Sequence, residues 1–436
     1  MKIKTLAVAL ASIGLLSTNA VAQTEIQWWH SMGGALGEAL NGLADKFNAS
    51  QKDYKVVPTF KGSYPESMTA AIAAFRAGNA PHLLQVFEVG TATMMAAKGA
   101  IVPVATVMAD AKEPFNPKAY LPTVTGYYSD LKGNMLSFPF NSSTVMFYIN
   151  KDAFKKAGLD PNKAPKTWKE VLAAAEKLKA SGSSCPYTTS WPSWTHIENF
   201  SAWHNIPIGT KQNGMGGFDT VFTINSPLHV SHIAMLGDMS KKGLFIYAGR
   251  TNQGDAKFSS GECAMFTGSA GAQAGIKKAA LFDWSINFIP YRDDVKGAPQ
   301  NSIIGGASVW IMGGKQPAEY KGVAKFMAFL SKPEIQMDWH TTTGYVPITQ
   351  ASYDLTRKSG FYEKNPGADM PVKELTNKAP TENSKGLRFG NFVQGRTVIE
   401  EELEAVFSGK KEAKEALDEA VKRGNEILRQ FEAANK

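Results

Sequence analysis

Seven aromatic residues, Trp28, Trp29, Tyr64, Trp191, Trp194, Trp203 and Tyr345, fall mostly in or beside loops rather than on regular core stripes. Flat aromatic faces contact C–H groups while tyrosine hydroxyls and indole N–H groups hydrogen bond, which is the chemistry of a cleft for polyols or sugars. Trp28, Trp203 and Trp310 are expected in the core instead. Signatures of bond-making chemistry are missing: the chain has no G-x-x-x-x-G-K-[ST] phosphate loop, G-x-S-x-G elbow, H-E-x-x-H or Cys-x-x-Cys pair. The nearest approach, Thr267-Gly268-Ser269-Ala270-Gly271, reads as a small-residue turn that lets backbone come close to a ligand. Carboxylate-pair hydrolases leave no local signature, so a hydrolase remains a distant alternative. His196, His204, His229, His232 and His340 have no metal-ligand spacing, and His229 and His232 are expected on the solvated surface. Neither a metal nor a cofactor is expected.

The elements that must position these residues begin after a leader. Lys2 and Lys4 precede an apolar run from Leu6 to Leu16 and the ending Ala20-Val21-Ala22, the pattern of a cleaved secretory signal over residues 1–22. That run is too short to cross a bilayer, which takes roughly 20 apolar residues. The chain from Gln23 onward is longer than one hydrophobic core usually organises, so two α/β domains flanking a cleft are expected. The formal charge of +8 falls to +6 without the two leader lysines, and its Lys and Arg are dispersed among acids, which argues against nucleic acid as a partner. Cys185 and Cys263 would enter an oxidising compartment, where they either pair or stay free.

Apolar strands at Ile26–Trp29, Val56–Phe60 and Leu83–Phe87 alternate with helical stretches, implying a parallel sheet whose ligand-facing loops lie after the strands' carboxyl ends. A second α/β region starts near residue 141, with a strand at Val145–Ile149 and a capping box at Thr167 and Glu170 that opens a helix running to about Ala180. Strand-like Ile286–Pro290 and Ile303–Met312 carry the chain back. The expected division is 23–140 plus about 290–341 in a first lobe, and 141–289 plus about 342–436 in a second. A C-terminal helix with Leu417, Val421, Leu428 and Phe431 on one stripe packs on the second lobe.

Taken in order, Trp28–Met32, Phe60–Tyr64, Gln85–Met95, Pro139–Thr144, Ile303–Ser308, Thr343–Thr349 and Gly360–Asp369 resemble the periplasmic glycerol-3-phosphate receptors, solute-binding proteins of the maltose-receptor class. The resemblance runs through nearly the whole chain after the leader. It implies a class II, two-lobed periplasmic binding protein fold with discontinuous domains joined by a hinge. It also implies a monomeric receptor rather than an enzyme, acting in the periplasm and delivering its ligand to the permease subunits of an ABC importer with a separate ATPase. Carried over residue by residue, it marks Tyr64, Glu88, Ser143, Ser269, Gly306, Tyr345 and Arg396 as ligand contacts, with Trp191 in an aromatic wall. On this reading Arg396 is the phosphate's cation, the serines and Gly306 N–H are donors, and Glu88 accepts from glycerol hydroxyls. Competing roles are a helix cap for Glu88, a hinge residue for Ser143, and a surface ion pair with Glu400 for Arg396. Phe266 and Gly268 depart from the family's pattern beside Ser269, so a glycerophosphodiester such as glycerophosphocholine is a ligand to set beside glycerol-3-phosphate. A neutral oligosaccharide receptor on the same fold is the near alternative.

Overall fold

The computed structural model describes residues 23–130 and 132–435; the expected leader, 1–22, lies outside the described residues. Ten strands among the described residues form two sheets. β1 (Thr24–His30), β2 (Tyr54–Phe60), β3 (Leu83–Phe87), β4 (Ile101–Val102), β5 (Phe138–Ser143) and β10 (Gly305–Met312) make the first. β6 (Val145–Asn150), β7 (Cys185–Thr189), β8 (Cys263–Ser269) and β9 (Trp284–Asn287) make the second.

The first sheet runs β2-β1-β3-β10-β4, with β5 also on β10. β1 lies parallel to β2 and β3, while β10 lies antiparallel to β3, β4 and β5. The sheet is therefore mixed rather than parallel, because β10 enters from the second sheet's side and so runs opposite to β3. In β1 the alternation Ile26, Trp28, His30 faces inward, whereas all of β3 is buried, as a strand covered on both faces must be. Trp28 is fully buried and packs edge-on against Phe140 and Phe326. Trp203 and Trp310 are likewise core residues.

The second sheet runs β7-β8-β6-β9, with β7 and β8 parallel and β6 antiparallel to both its neighbours. Cys185 and Cys263 are direct register partners across β7 and β8 and form a disulfide. The Trp168–Ala180 helix starts at the expected capping box, Thr167 accepting from the Glu170 N–H and Glu170 returning to the Thr167 N–H. The Ala413–Ala434 helix lays Leu417, Leu428 and Phe431 into the core. His229 and His232 are buried, not solvated. His232 stacks on Phe200 at 3.9 Å and meets His196 at 3.2 Å, and burial drives both His229 and His232 to low pKa, so they serve as neutral core groups.

Only Thr144 separates β5 in one sheet from β6 in the other. Its hydroxyl meets Ser302 at 2.5 Å on the returning segment and Glu374 at 3.2 Å, and Glu374 also accepts the Ile289 N–H at 2.8 Å. Glu374 thus ties the strand crossing to the return crossing. It is fully buried with no cation paired to it among the described residues, and burial pushes its carboxyl up to about 8. Further on, Trp339, Tyr345 and Ile348 pack into the first sheet's core.

Candidate functional site

A cleft opens where the carboxyl ends of β1, β3, β7 and β8 face one another, and the loops leaving those strands line it. β1 delivers Ser31 and Met32 and then Gly33, which caps the Gly34–Ser50 helix without a side-chain acceptor. β8 delivers Ser269 and then Gly271, which caps the Ala272–Ala279 helix in the same bare way. Two helices therefore point unscreened positive ends into one cleft, an arrangement that favours an anion.

The hydroxyls gather at this end. Ser143 Oγ and Ser269 Oγ lie 2.7 Å apart; Ser143 Oγ accepts the Ala270 N–H at 3.1 Å and Ser269 Oγ the Gly271 N–H at 3.0 Å. Ser143 is thus buried at the crossing between the sheets, donating to the Thr144 carbonyl at 3.1 Å and lying behind the cleft serine rather than in the cleft lining. Gly306 sits opposite Ser142 in the β10–β5 ladder with φ +88, and a Cβ there would lie 1.8 Å from the Asn141 carbonyl oxygen. Only glycine fits. The Trp194 indole N–H and the Ser31 hydroxyl are buried without a hydrogen-bond partner among the described residues, and both residues line the cleft. They are donors available to a ligand.

Tyr64 opens the helix Tyr64–Arg76, stacks on Phe87 at 5.1 Å, takes a hydrogen bond from Asn141 at 3.0 Å and faces Trp191 at 6.1 Å. Burial first, then Tyr345, holds its phenol well above the ordinary range, so it stays a neutral donor. Tyr345 closes the wall beside Gly271, where a Cβ would come within 2.7 Å of its ring. Trp191 holds its wall position with φ 53, a strained conformation for so bulky a residue.

At the other end Arg396, on the Phe392–Phe407 helix, is 5% exposed and is not a surface residue paired with Glu400. Its Nε and Nη2 donate to the two carboxylate oxygens of Glu198 at 2.8 and 2.7 Å, and Nη2 also donates to Glu88 at 2.7 Å. Glu88 heads a short 3-10 turn without capping it; its Oε1 accepts from the arginine. Burial works against the guanidinium's charge, but Glu198 and Glu88 outweigh it and hold the proton more firmly. One cation faces two carboxylates, so the trio carries −1 when both acids are ionised. The arginine expected as the phosphate's cation is thus already paired with two acids. It still offers Nη1, which donates to no protein group among the described residues.

Glu198 escapes sequence reasoning. It lies in Trp194–Asn199, a run of aromatic and polar residues wound as a π-helix, whose i→i+5 spacing sets Ser193 beside it at 3.1 Å. The available signal was an acid with no nearby Lys or Arg in a segment otherwise suited to burial. Asp255 is missed too: half-buried in the cleft wall, it accepts from Ser190 at 2.6 Å, has no cation paired to it among the described residues, and is pushed up to about 6 by burial. No cluster of three or more His, Cys, Asp or Glu able to hold a metal occurs among the described residues.

Two sheets joined by crossing strands, with a donor-lined cleft between the strand ends, make the architecture of a solute-binding protein. The family model of the bacterial extracellular solute-binding proteins matches residues 42–370, and the chain belongs to that family. It is 54% identical over 431 residues, 99% of this chain and 97% of the relative, to the sn-glycerol-3-phosphate-binding periplasmic protein UgpB of Pectobacterium atrosepticum. The protein of the same name from Yersinia pseudotuberculosis is 55% identical over 421 residues, 96% of each chain. Among solved structures, UgpB from Mycobacterium tuberculosis in complex with glycerophosphocholine superposes with TM-score 0.78 at 22% identity, covering 94% of this chain and 99% of that one. The GacH receptor of Streptomyces glaucescens, known unliganded and with acarbose, gives TM-score 0.77 at 15% identity, covering 94% and 99%. The fold is the two-lobed, maltose-receptor type of periplasmic binding protein.

Proposed function

We propose that this chain captures sn-glycerol-3-phosphate, or a glycerophosphodiester such as glycerophosphocholine, in the periplasm and presents it to the permease of an ABC importer whose ATPase is a separate chain. Residues 1–22 are read as the export signal. The observation that carries the ligand class is the division of the cleft into two ends. Bare helix N-termini, Ser143, Ser269 and the Trp194 N–H suit a phosphate, while the Glu88 carboxylate and Arg396 Nη1 suit a vicinal diol. Tyr64, Trp191 and Tyr345 pack against the carbon chain between them, and Gly306 lets backbone approach.

The lobes belong to this proposal as well. Residues 23–140 and the strand Gly305–Met312 form the first, and residues 145–289 the second. Because Tyr345 and Ile348 pack with the first sheet, the final return to the second lobe is placed nearer the Met370–Leu375 helix than residue 342. Glu88 stands on the first lobe while Arg396 and Glu198 stand on the second, so closure brings the acid and the arginine together around the ligand. Titration calorimetry of the mature, ligand-stripped protein is the test. Micromolar or tighter binding of sn-glycerol-3-phosphate with maltose silent supports the reading; heat with maltose alone overturns the ligand and keeps the fold.

A further inference from the structure

We infer that Glu198, a residue outside the ligand set considered above, determines specificity by spending the charge of Arg396, so that the arginine reads hydroxyl groups and not phosphate. The inference rests on the glycerol-phosphate reading of the cleft. Glu198 grips one edge of the guanidinium at two points, Nε and Nη2, and a planar fork held at two points has its free Nη1 fixed in direction. Ser193 holds the Glu198 carboxylate in turn, and the π-helical pitch supplies that spacing. The same turn places Trp194 in the cleft wall, and its last residue, Asn199, accepts the Ile303 N–H on the return crossing. The carboxylate is therefore anchored to the frame that also shapes the pocket.

With Glu198 present and both acids ionised, Arg396 sits in a trio of net −1, and a phosphate brought to Nη1 meets two buried carboxylates behind a single cation. A hydroxyl brought there meets a site suited to a neutral group: Nη1 donates to its oxygen and Glu88 accepts its proton. Replacing Glu198 by glutamine returns the arginine to a one-to-one pair with Glu88, removes the repulsion, and turns an amide N–H₂ toward a guanidinium edge that needs an acceptor. The two-point grip is lost, and the selectivity for a diol at this end falls with it.

The experiment ranks ligands rather than measuring one affinity, since a merely structural role would weaken all of them together. Wild type is titrated with sn-glycerol-3-phosphate, with ethyl phosphate, which keeps the phosphate and lacks the diol, and with inorganic phosphate. The expected wild-type preference for glycerol phosphate over ethyl phosphate is about tenfold or more, the worth of hydrogen bonds to charged groups, and inorganic phosphate does not compete. In Glu198→Gln the preference narrows to about threefold or less and inorganic phosphate begins to compete. Glu198→Asp, which keeps the charge on a shorter arm, continues to exclude inorganic phosphate. A Glu198→Gln protein that melts as a cooperative unit and keeps the wild-type ranking overturns the inference alone. If the glutamine variant does not fold, wild type decides: ethyl phosphate bound as tightly as glycerol phosphate overturns the inference. Wild type that takes up neither glycerol phosphate nor a glycerophosphodiester overturns the functional reading and this inference with it.

Discussion

The two ends of the cleft invert what formal charges suggest. One end joins a guanidinium to two carboxylates through hydrogen bonds of 2.8 Å or less and presents almost no net attraction for an anion. The other gathers two serine hydroxyls, an indole N–H and the starts of two helices, none of them a charged side chain, yet on the proposed reading it is where a phosphate finds unanswered positive potential. A side chain's charge matters for binding only insofar as its partners leave it unspent, and that is decided by the fold rather than by residue type.

The contrast is broken most severely at the arginine. Arg396→Met leaves Glu88 and Glu198 buried without a cation, and removing one partner from such a set costs about 3–5 kcal/mol. The expected result is loss of detectable ligand binding together with a melting temperature lowered by ~10 °C, read by titration and scanning calorimetry. A variant that binds normally would show that the trio is ornamental to the cleft. Ser269→Ala probes the opposite end. It removes a donor without exposing a buried charge, so affinity for glycerol phosphate falls about tenfold while melting moves by ~2 °C or less. Similar melting losses in both variants would erase the distinction between the ends.

Buried acids sharpen the same comparison, because Glu374 solves by protonation what Glu88 and Glu198 solve with an arginine. Its carboxyl is raised from an ordinary 4.5 to about 8, so the native state holds the proton more tightly than the unfolded chain does. The stability it lends is full below about 4.5 and is lost as pH rises through about 8. Glu374→Gln mimics the protonated acid. It should match wild type near pH 5 and melt a few degrees higher near pH 9, roughly the effect of 1–2 kcal/mol, by thermal denaturation across that range. The opposite order at pH 9 would mean that an ionised Glu374 stabilises the crossing. The smallest effect is expected at Asp255, raised to about 6 by burial. Above that pH its charge opposes an anion in the cleft, so affinity for glycerophosphoglycerol, whose single charge is constant in this range, falls about two- to threefold between pH 5 and pH 7. In Asp255→Asn that slope disappears.

Much of the fold was legible where the determinants are local. The capping box at Thr167 and Glu170 marked a helix start because both partners lie within one turn, and the apolar runs around Trp28 and Leu83–Phe87 marked core strands. The cleft-lining positions of Tyr64, Glu88, Trp191, Ser269, Gly306, Tyr345 and Arg396 came from motif resemblance. Strand direction did not: nothing within Gly305–Met312 records that the chain arrives from the second sheet and must pair antiparallel with β3. The burial of His229 and His232 depends on Phe200, Trp168 and His196, contacts that no periodicity in their own helix announces. The partner of Arg396 was hidden most completely, since Glu198 is 198 residues away and its neighbours carry the look of a packing segment. The arginine was read as a free cation because its neutralising acid is a product of tertiary structure.

The most direct test of the two-ended cleft is a crystal structure of the mature protein with sn-glycerol-3-phosphate bound. The account predicts phosphate oxygens within hydrogen-bonding distance of Ser143 Oγ, Ser269 Oγ and the start of the Ala272–Ala279 helix, with the diol between Glu88 and Arg396 Nη1. A phosphate seated on Arg396, with the diol turned toward the serines, would contradict it.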